Sequence, residues 1–297
     1  MGHFTAVDEK TGRKFYVDEP DDLADQEPVT FILSLHGGGS VGAWQRLYFP
    51  AFDYADRYRL VIATPSAATK VPARRWVGEA DDEHLRNIVR FMFDRYGAVR
   101  SFWLVGHSQG GMTSSRLLRE DPFFQDRVDG WLSLSGGRIG PAERAPDAGP
   151  PPAPGTSPPA MMRPPPPEPP PCDISFIFAV GQHEIARLPH TSPWADKYRA
   201  GPRERRTDIV DVEPGRIYDT MREAYSTKAW GLRPRPGRAE VYVYPNAEGG
   251  RVIADVVRLD KGHTEGLEPN VTEELIRLMV SAPGGKATKL AVAETHA

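Results

Sequence analysis

Gly106, Ser108 and Gly110 stand at alternate positions in "VGHSQGGM". A serine flanked in this way fits a sharp strand-to-helix turn that presents its hydroxyl as a nucleophile. Glycine leaves room where a Cβ would obstruct such a turn. The hydroxyl attacks only when a base takes its proton, and the oxyanion that forms needs preorganised donors. "LHGGGS", well upstream of Ser108, offers a glycine loop directly after an apolar run. The backbone N–H groups of Gly38 and Gly39, with that of Gln109 just past the serine, are the expected oxyanion-hole donors.

The base must come from eight histidines. His36 belongs to the glycine loop, His107 to the serine turn and His84 to a helical stretch, while His3 and His296 are terminal. His183, His190 and His263 remain. In the chain order nucleophile, acid, histidine, the base follows the last strand. That selects His263, in "LDKGHTEG". The acid should follow the strand "ISFIFAVG", where Glu184 lies three residues past Gly181. A carboxylate there can orient the histidine through its other nitrogen. Asp260, Asp208 and Asp211 are its rivals.

These groups need a scaffold. "HFTAV" and "KFYVDE" read as an opening hairpin around "DEKTGR". "VTFILSLH", "RLVIATP", "SFWLVG", "GWLSLSGG" and "DISFIFAVG" read as buried strands. "AEVYVYPNAEGGRVIADVVRLD" reads as two strands around a turn. Helices are expected at "AWQRLYFPAFDYADRY", at "DDEHLRNIVRFMFDRYG" with Asp81 as N-cap and Gly97 as stop, and at "GGMTSSRLLRED". Two more are expected at "GRIYDTMREAYSTKAWG" and "VTEELIRLMVSA". Strands alternating with helices predict an α/β fold with a mostly parallel sheet flanked by helices. Residues 141–171 hold 15 prolines. Such a run cannot join a helix or sheet core, and a mobile insertion is expected there. The expected organisation is one domain over 1–282, with 283–297 as a polar, frayed tail.

Composition narrows the function classes. The 297 residues carry a formal charge of −3 and are 26% charged, which excludes the strong basic excess of a nucleic-acid binder. No apolar run approaches the ~18 residues of a membrane span. No signal peptide is visible in "MGHFTAVDEK", so a cytoplasmic location is expected. The single cysteine, Cys172, excludes an intrachain disulfide and a cysteine-cluster metal site.

Together these segments resemble the α/β-hydrolase esterases that include poly(3-hydroxybutyrate) depolymerases and feruloyl esterases. "LHGGG" matches the oxyanion loop, "GHSQGGMTSSRLL" the nucleophile segment, "VGQHE" the acid-bearing strand end and "VIADVVRLDKGHTEG" the histidine segment. Trp76 with Asp81–Asp82 matches the stretch before a helix. The resemblance spans roughly Lys14 to Ala282 apart from the proline run, which falls where the fold carries cap or lid insertions. It implies Ser108 as nucleophile, Glu184 as acid and His263 as base. Two positions depart from the family pattern: it usually has aspartate at the acid position, and "HTWPG" or "HGWPG" where this chain reads "HTEGLEP".

The activity so implied is a serine carboxylic-ester hydrolase with an acyl-enzyme step, acting on small or polymeric esters without metal or organic cofactor. A peptidase or amidase on the same fold, or a non-catalytic ligand-binding scaffold, is the alternative. Trp76, Trp194, Tyr198 and Trp230 are candidate pocket aromatics, with Trp76 and Trp194 taken as substrate-binding.

Overall fold

The computed structural model describes residues 1–70, 73–139, 143–144, 168–219 and 227–286. Strands β1 (Gly2–Asp8) and β2 (Arg13–Glu19) form the opening hairpin. The chain then builds β3 (Val29–Leu35), α1 (Gly42–Tyr48), α2 (Ala55–Tyr58) and β4 (Leu60–Pro65). Next come α3 (Gly78–Tyr96), β5 (Val99–His107), α4 (Gln109–Glu120), α5 (Pro122–Gln125) and β6 (Gly130–Leu134). Short β7 (Glu143–Arg144) precedes β8 (Ser175–Gly181), β9 (Ile185–Arg187) and α6 (Pro193–Lys197). The last elements are β10 (Glu204–Arg205), β11 (Ile209–Asp211), β12 (Gly237–Val243), β13 (Ile253–Arg258) and α7 (Pro269–Ser281).

Among the described residues, the main sheet runs β1-β2-β4-β3-β5-β6-β8-β13-β12-β10, with β11 also on β12. Its six central strands, β4 to β13 in that order, are mutually parallel. The outer strands are antiparallel. Central strands buried on both faces read as continuous apolar runs, and β3, β4, β6 and β8 are buried at every position. Alternate side chains feed two cores. Phe31 and Leu33 join Leu85, Ile88, Val89 and Met92 of α3, whereas Ile32 faces the core that holds Leu275, Ile276 and Met279 of α7. Each such buried side chain contributes about 1.5–3 kcal/mol.

The C-terminal ends of the parallel strands converge. Gly37–Gly39 follow β3, Ser108 follows β5, Ser135 follows β6, Glu184 follows β8 and His263 follows β13. Loops at that edge of an open α/β sheet are where such folds place their sites.

Several local expectations change. The helix expected over "AWQRLYFPAFDYADRY" breaks into α1, a 3₁₀ turn at Ala51–Tyr54 and α2. Pro50 lacks an N–H and pushes Phe49 out of helical geometry, to φ −121° and ψ 86°. Asp81 is not the cap of α3, which begins at Gly78. Its carboxylate instead reaches back to the N–H groups of Val77 (2.6 Å) and Ala68 (2.9 Å) and pairs with Arg13. The helix expected over "GRIYDTMREAYSTKAWG" is absent from its described parts: 215–219 have no regular structure and 228–230 form a turn, while 220–226 lie outside the described residues. Tertiary contacts override the helical pattern there. Gly215 lies against the Gly266 carbonyl, and the Tyr218 hydroxyl donates to Thr264 O at 2.7 Å. In the expected tail, Gly285 and Lys286 dock on Arg100 and Asp129, and 287–297 lie outside the described residues. So does most of the proline run; of it, the backbone of 143–144 pairs with β9.

Candidate active site

Ser108 sits between β5 and α4 with φ 51° and ψ −117°. That left-handed backbone is uncommon for a residue with a Cβ. Two glycines make it possible. A Cβ on Gly106 would lie 2.3 Å from the Gly110 carbonyl carbon, and one on Gly110 would lie 2.3 Å from Leu35 O. The Ser108 N–H donates to Leu134 O at 2.8 Å, tying the turn to the end of β6.

The serine hydroxyl lies 2.8 Å from Nε2 of His263, and Nδ1 of His263 lies 2.6 Å from Oε2 of Glu184. One tautomer satisfies both bonds: Nδ1–H donates to the carboxylate and Nε2 accepts from the serine. The His263 and Glu184 side chains are only 16% and 13% exposed, so water screens the pair weakly. The structure thus brings together Ser108, His263 and Glu184. Glu184 ends a 3₁₀ turn at Gln182–Glu184. Its Oε1 accepts from the Gly181 N–H (2.9 Å) and the Ser135 hydroxyl (2.7 Å).

The rival carboxylates are engaged elsewhere. Asp260 pairs with His183 and Arg235, and Asp208 with Arg205 and Arg238. Asp211 accepts from the N–H groups of Asn270 (2.7 Å) and Val271 (3.2 Å) at the start of α7.

The glycine loop packs over the serine turn. A Cβ on Gly37 would lie 3.3 Å from the Ser108 Cβ, and one on Gly38 would lie 3.5 Å from Gln109 Oε1. The N–H groups of Gly38 and Gln109 have no hydrogen-bond partner among the described residues. Gln109 is also the first residue of α4, where the helix dipole favours negative charge. Gly39 is corrected: its N–H donates to Arg74 O at 2.7 Å and is not free to meet an oxyanion. Beneath the loop, His36 is fully buried. Its Nδ1–H donates to Gly37 O (2.7 Å) and its Nε2 accepts from the Ala67 N–H (3.0 Å). Burial pushes its pKa down to about 4, against the hydrogen bond to Gly37.

Both substrate-binding tryptophans are corrected as well. Trp76 is fully buried and braces the glycine loop, donating from Nε1 to His36 O at 2.8 Å. Trp194 is fully buried in the core and stacks on Phe176 at 4.7 Å. Neither presents a ring face to solvent. Trp230, by contrast, is 49% exposed and stacks on the His263 ring.

Further residues hold His263 in place. His107 stacks on Tyr48 at 3.9 Å, and its Nε2 donates to His263 O at 2.9 Å. Below the loop, Arg258 donates to Glu268 (2.9 Å) and to the carbonyls of Glu265 and Gly266 (both 2.8 Å). Lys261 lies 3.1 Å from Glu268 and 3.7 Å from Glu265. All four charged side chains are buried, and their charges balance. Burial alone would raise the Glu268 pKa, but Arg258 and Lys261 together hold it below its ordinary range. For Ser135 a signal existed in its place after "GWLSL", at the end of a strand neighbouring the serine strand. The ionic cluster left none, because its members look like solvated charges in the sequence.

Among the described residues no cluster of three or more histidine, cysteine or carboxylate groups could hold a metal ion. None of their helices is long and apolar enough to cross a membrane.

No protein-family model and no curated protein sequence matches the chain. Solved structures do. An acetyl xylan esterase from Aspergillus awamori superposes with a TM-score of 0.54 at 12% identity, over 94% of this chain and 100% of that one. The Thermus thermophilus protein TT1662 gives a TM-score of 0.48 at 17% identity, over 94% and 97%. A fluorophosphonate-binding serine hydrolase of Staphylococcus aureus gives 0.35 at 15% identity, over 45% of this chain and 56% of that one. The assignment rests on the first of these, together with the parallel sheet and the placement of Ser108 at the end of β5. The chain has the α/β-hydrolase fold.

Proposed function

We propose that the protein is a serine carboxylic-ester hydrolase. The observation that carries this reading is the continuous hydrogen-bonded line from the Ser108 hydroxyl through His263 to Glu184, beside the N–H groups of Gly38 and Gln109, which have no partner among the described residues.

Ser108 Oγ attacks the ester carbonyl carbon while its proton passes to His263 Nε2. Glu184 holds Nδ1–H and stabilises the imidazolium without taking the proton. The carbonyl oxygen becomes an oxyanion between the Gly38 and Gln109 N–H groups. When the tetrahedral intermediate collapses, the C–O bond to the alcohol breaks and His263 protonates the leaving oxygen. The acyl group now sits on Ser108. Water attacks it, His263 takes the water's proton, and the acid leaves with Ser108 restored. The residues supply nucleophile, base and oxyanion donors, so no cofactor is required.

The substrates of this reading are small or polymeric carboxylic esters, including acetylated sugars, feruloyl esters and polyhydroxyalkanoate-type polymers. The test is a panel of chromogenic acetates and matched anilides with wild type and His263→Ala. Ester turnover that exceeds anilide turnover and is lost in His263→Ala supports the reading. Anilide turnover equal to ester turnover makes the protein an amidase. No turnover of either kind leaves only a ligand-binding scaffold.

A further inference from the structure

Two rings flank the His263 imidazole. His107 lies 5.0 Å away with its plane tilted by 40°, and Trp230 lies 5.1 Å away, stacked at 27°. They differ in access: His107 is buried, whereas Trp230 is 49% exposed. A substrate arrives from solvent, so it meets Trp230.

The backbone at Trp230 is tied to the histidine loop. The Trp230 carbonyl accepts from both the N–H and the hydroxyl of Thr264, each at 2.9 Å. The His263 N–H donates to Ala229 O at 3.0 Å, and the Trp230 N–H donates to Thr227 Oγ1 at 3.2 Å. A Cβ on Gly262 would lie 2.5 Å from the Gly231 nitrogen, so the two backbones touch. The backbones that carry imidazole and indole are therefore joined, and the two rings stack. A half-exposed aromatic side chain, with only two χ angles and an ordered backbone, loses little conformational entropy when a ligand covers it.

The chemistry decides which half of an ester the indole meets. The carbonyl carbon sits at Ser108 and its oxygen at the Gly38 and Gln109 N–H groups. The leaving oxygen takes its proton from His263 Nε2, so the alcohol half lies against the imidazole when the bond breaks. The indole borders that same imidazole. Resting on the ester-hydrolase reading above, we infer that Trp230 is a specificity-determining residue. Its indole face binds the alcohol half of the substrate and favours alcohols with a flat, ring-shaped face over small alkyl alcohols.

The experiment uses the full chain, as wild type, Trp230→Ala and Trp230→Phe. Three esters separate the halves: benzyl acetate, ethyl acetate and ethyl benzoate. Wild type should prefer benzyl acetate to ethyl acetate in kcat/KM. Trp230→Ala should raise KM for benzyl acetate by about tenfold, the size of one lost aromatic contact, and leave ethyl acetate nearly unchanged. Trp230→Phe should restore most of the preference. An equal loss on benzyl and ethyl acetate overturns the inference and makes Trp230 a positioning residue for His263. A KM rise confined to ethyl benzoate overturns it by placing the acyl half there, and an unchanged benzyl preference overturns it outright. Fluorophosphonate labelling of wild type reports separately on the underlying reading: a protein that labels but shows no Trp230 effect fails this inference alone.

Discussion

The Ser135 hydroxyl donates to Oε1 of Glu184 at 2.7 Å, from the end of the strand next to the one that carries Glu184. The Gly181 N–H meets the same oxygen at 2.9 Å, which leaves Oε2 facing His263 Nδ1. The carboxylate is thus aimed by two donors before it meets the imidazole. Glu184→Gln keeps the size and removes the charge. A comparable change in a serine protease costs about 10⁴ in kcat; here the expected loss is about 10²–10⁴. Asp260→Asn, Asp208→Asn and Asp211→Asn should each stay near wild type. A larger loss in any of those three would reassign the acid.

Ser135 also yields a graded prediction. Removing one hydrogen bond to a charged group costs about 1.5–3 kcal/mol, or roughly 12–160-fold if all of it appears in kcat. Ser135→Ala should lower kcat by that amount and leave KM unchanged, as expected of a residue acting through Glu184. Ser135 has φ 52°, which glycine adopts without strain, so Ser135→Gly should match Ser135→Ala and fold normally. Steady-state kinetics on one chromogenic ester decides it: a rise in KM with kcat intact would contradict the positioning role.

His36 gives a pH dependence. Burial holds its folded pKa at about 4, below the ordinary 6.5. A depressed folded pKa means that the contribution is fully present above about 6.5 and is lost as pH falls through about 4. The span corresponds to about 3 kcal/mol. Denaturant unfolding at several pH values between 7 and 4 should show wild type losing more stability than His36→Gln over that window. Parallel pH profiles for the two proteins would show that His36 does not carry the effect. Because the ring supports Gly37 and Ala67, activity at low pH should fall with stability.

The geometry of the candidate site was legible where local spacing dictates it. Gly106-x-Ser108-x-Gly110 needs those glycines because the turn leaves no space for a Cβ, and that demand is written in consecutive residues. The positions of His263 and Glu184 followed from strand order, which a parallel sheet imposes on the chain. Long-range packing was not legible. Trp76 and Trp194 looked like pocket aromatics, and only the folded chain shows their rings buried behind the glycine loop and in the core. Gly39 looked equivalent to Gly38 until its N–H met Arg74 O. At the described residues 215–219, the helical pattern yielded to contacts with the histidine loop, which lies some fifty residues later in the chain. The strand alternation was read well because β-branched and apolar runs, buried on both faces, have few other places to go.

The most direct test of the central claim is fluorophosphonate modification followed by peptide mass mapping. The account predicts one adduct, on Ser108, absent from Ser108→Ala and formed at least about 10³-fold more slowly in His263→Ala, because nucleophile and base act as a unit. Circular dichroism should show both variants folded. An adduct on another residue, or labelling of Ser108→Ala at the wild-type rate, would contradict it.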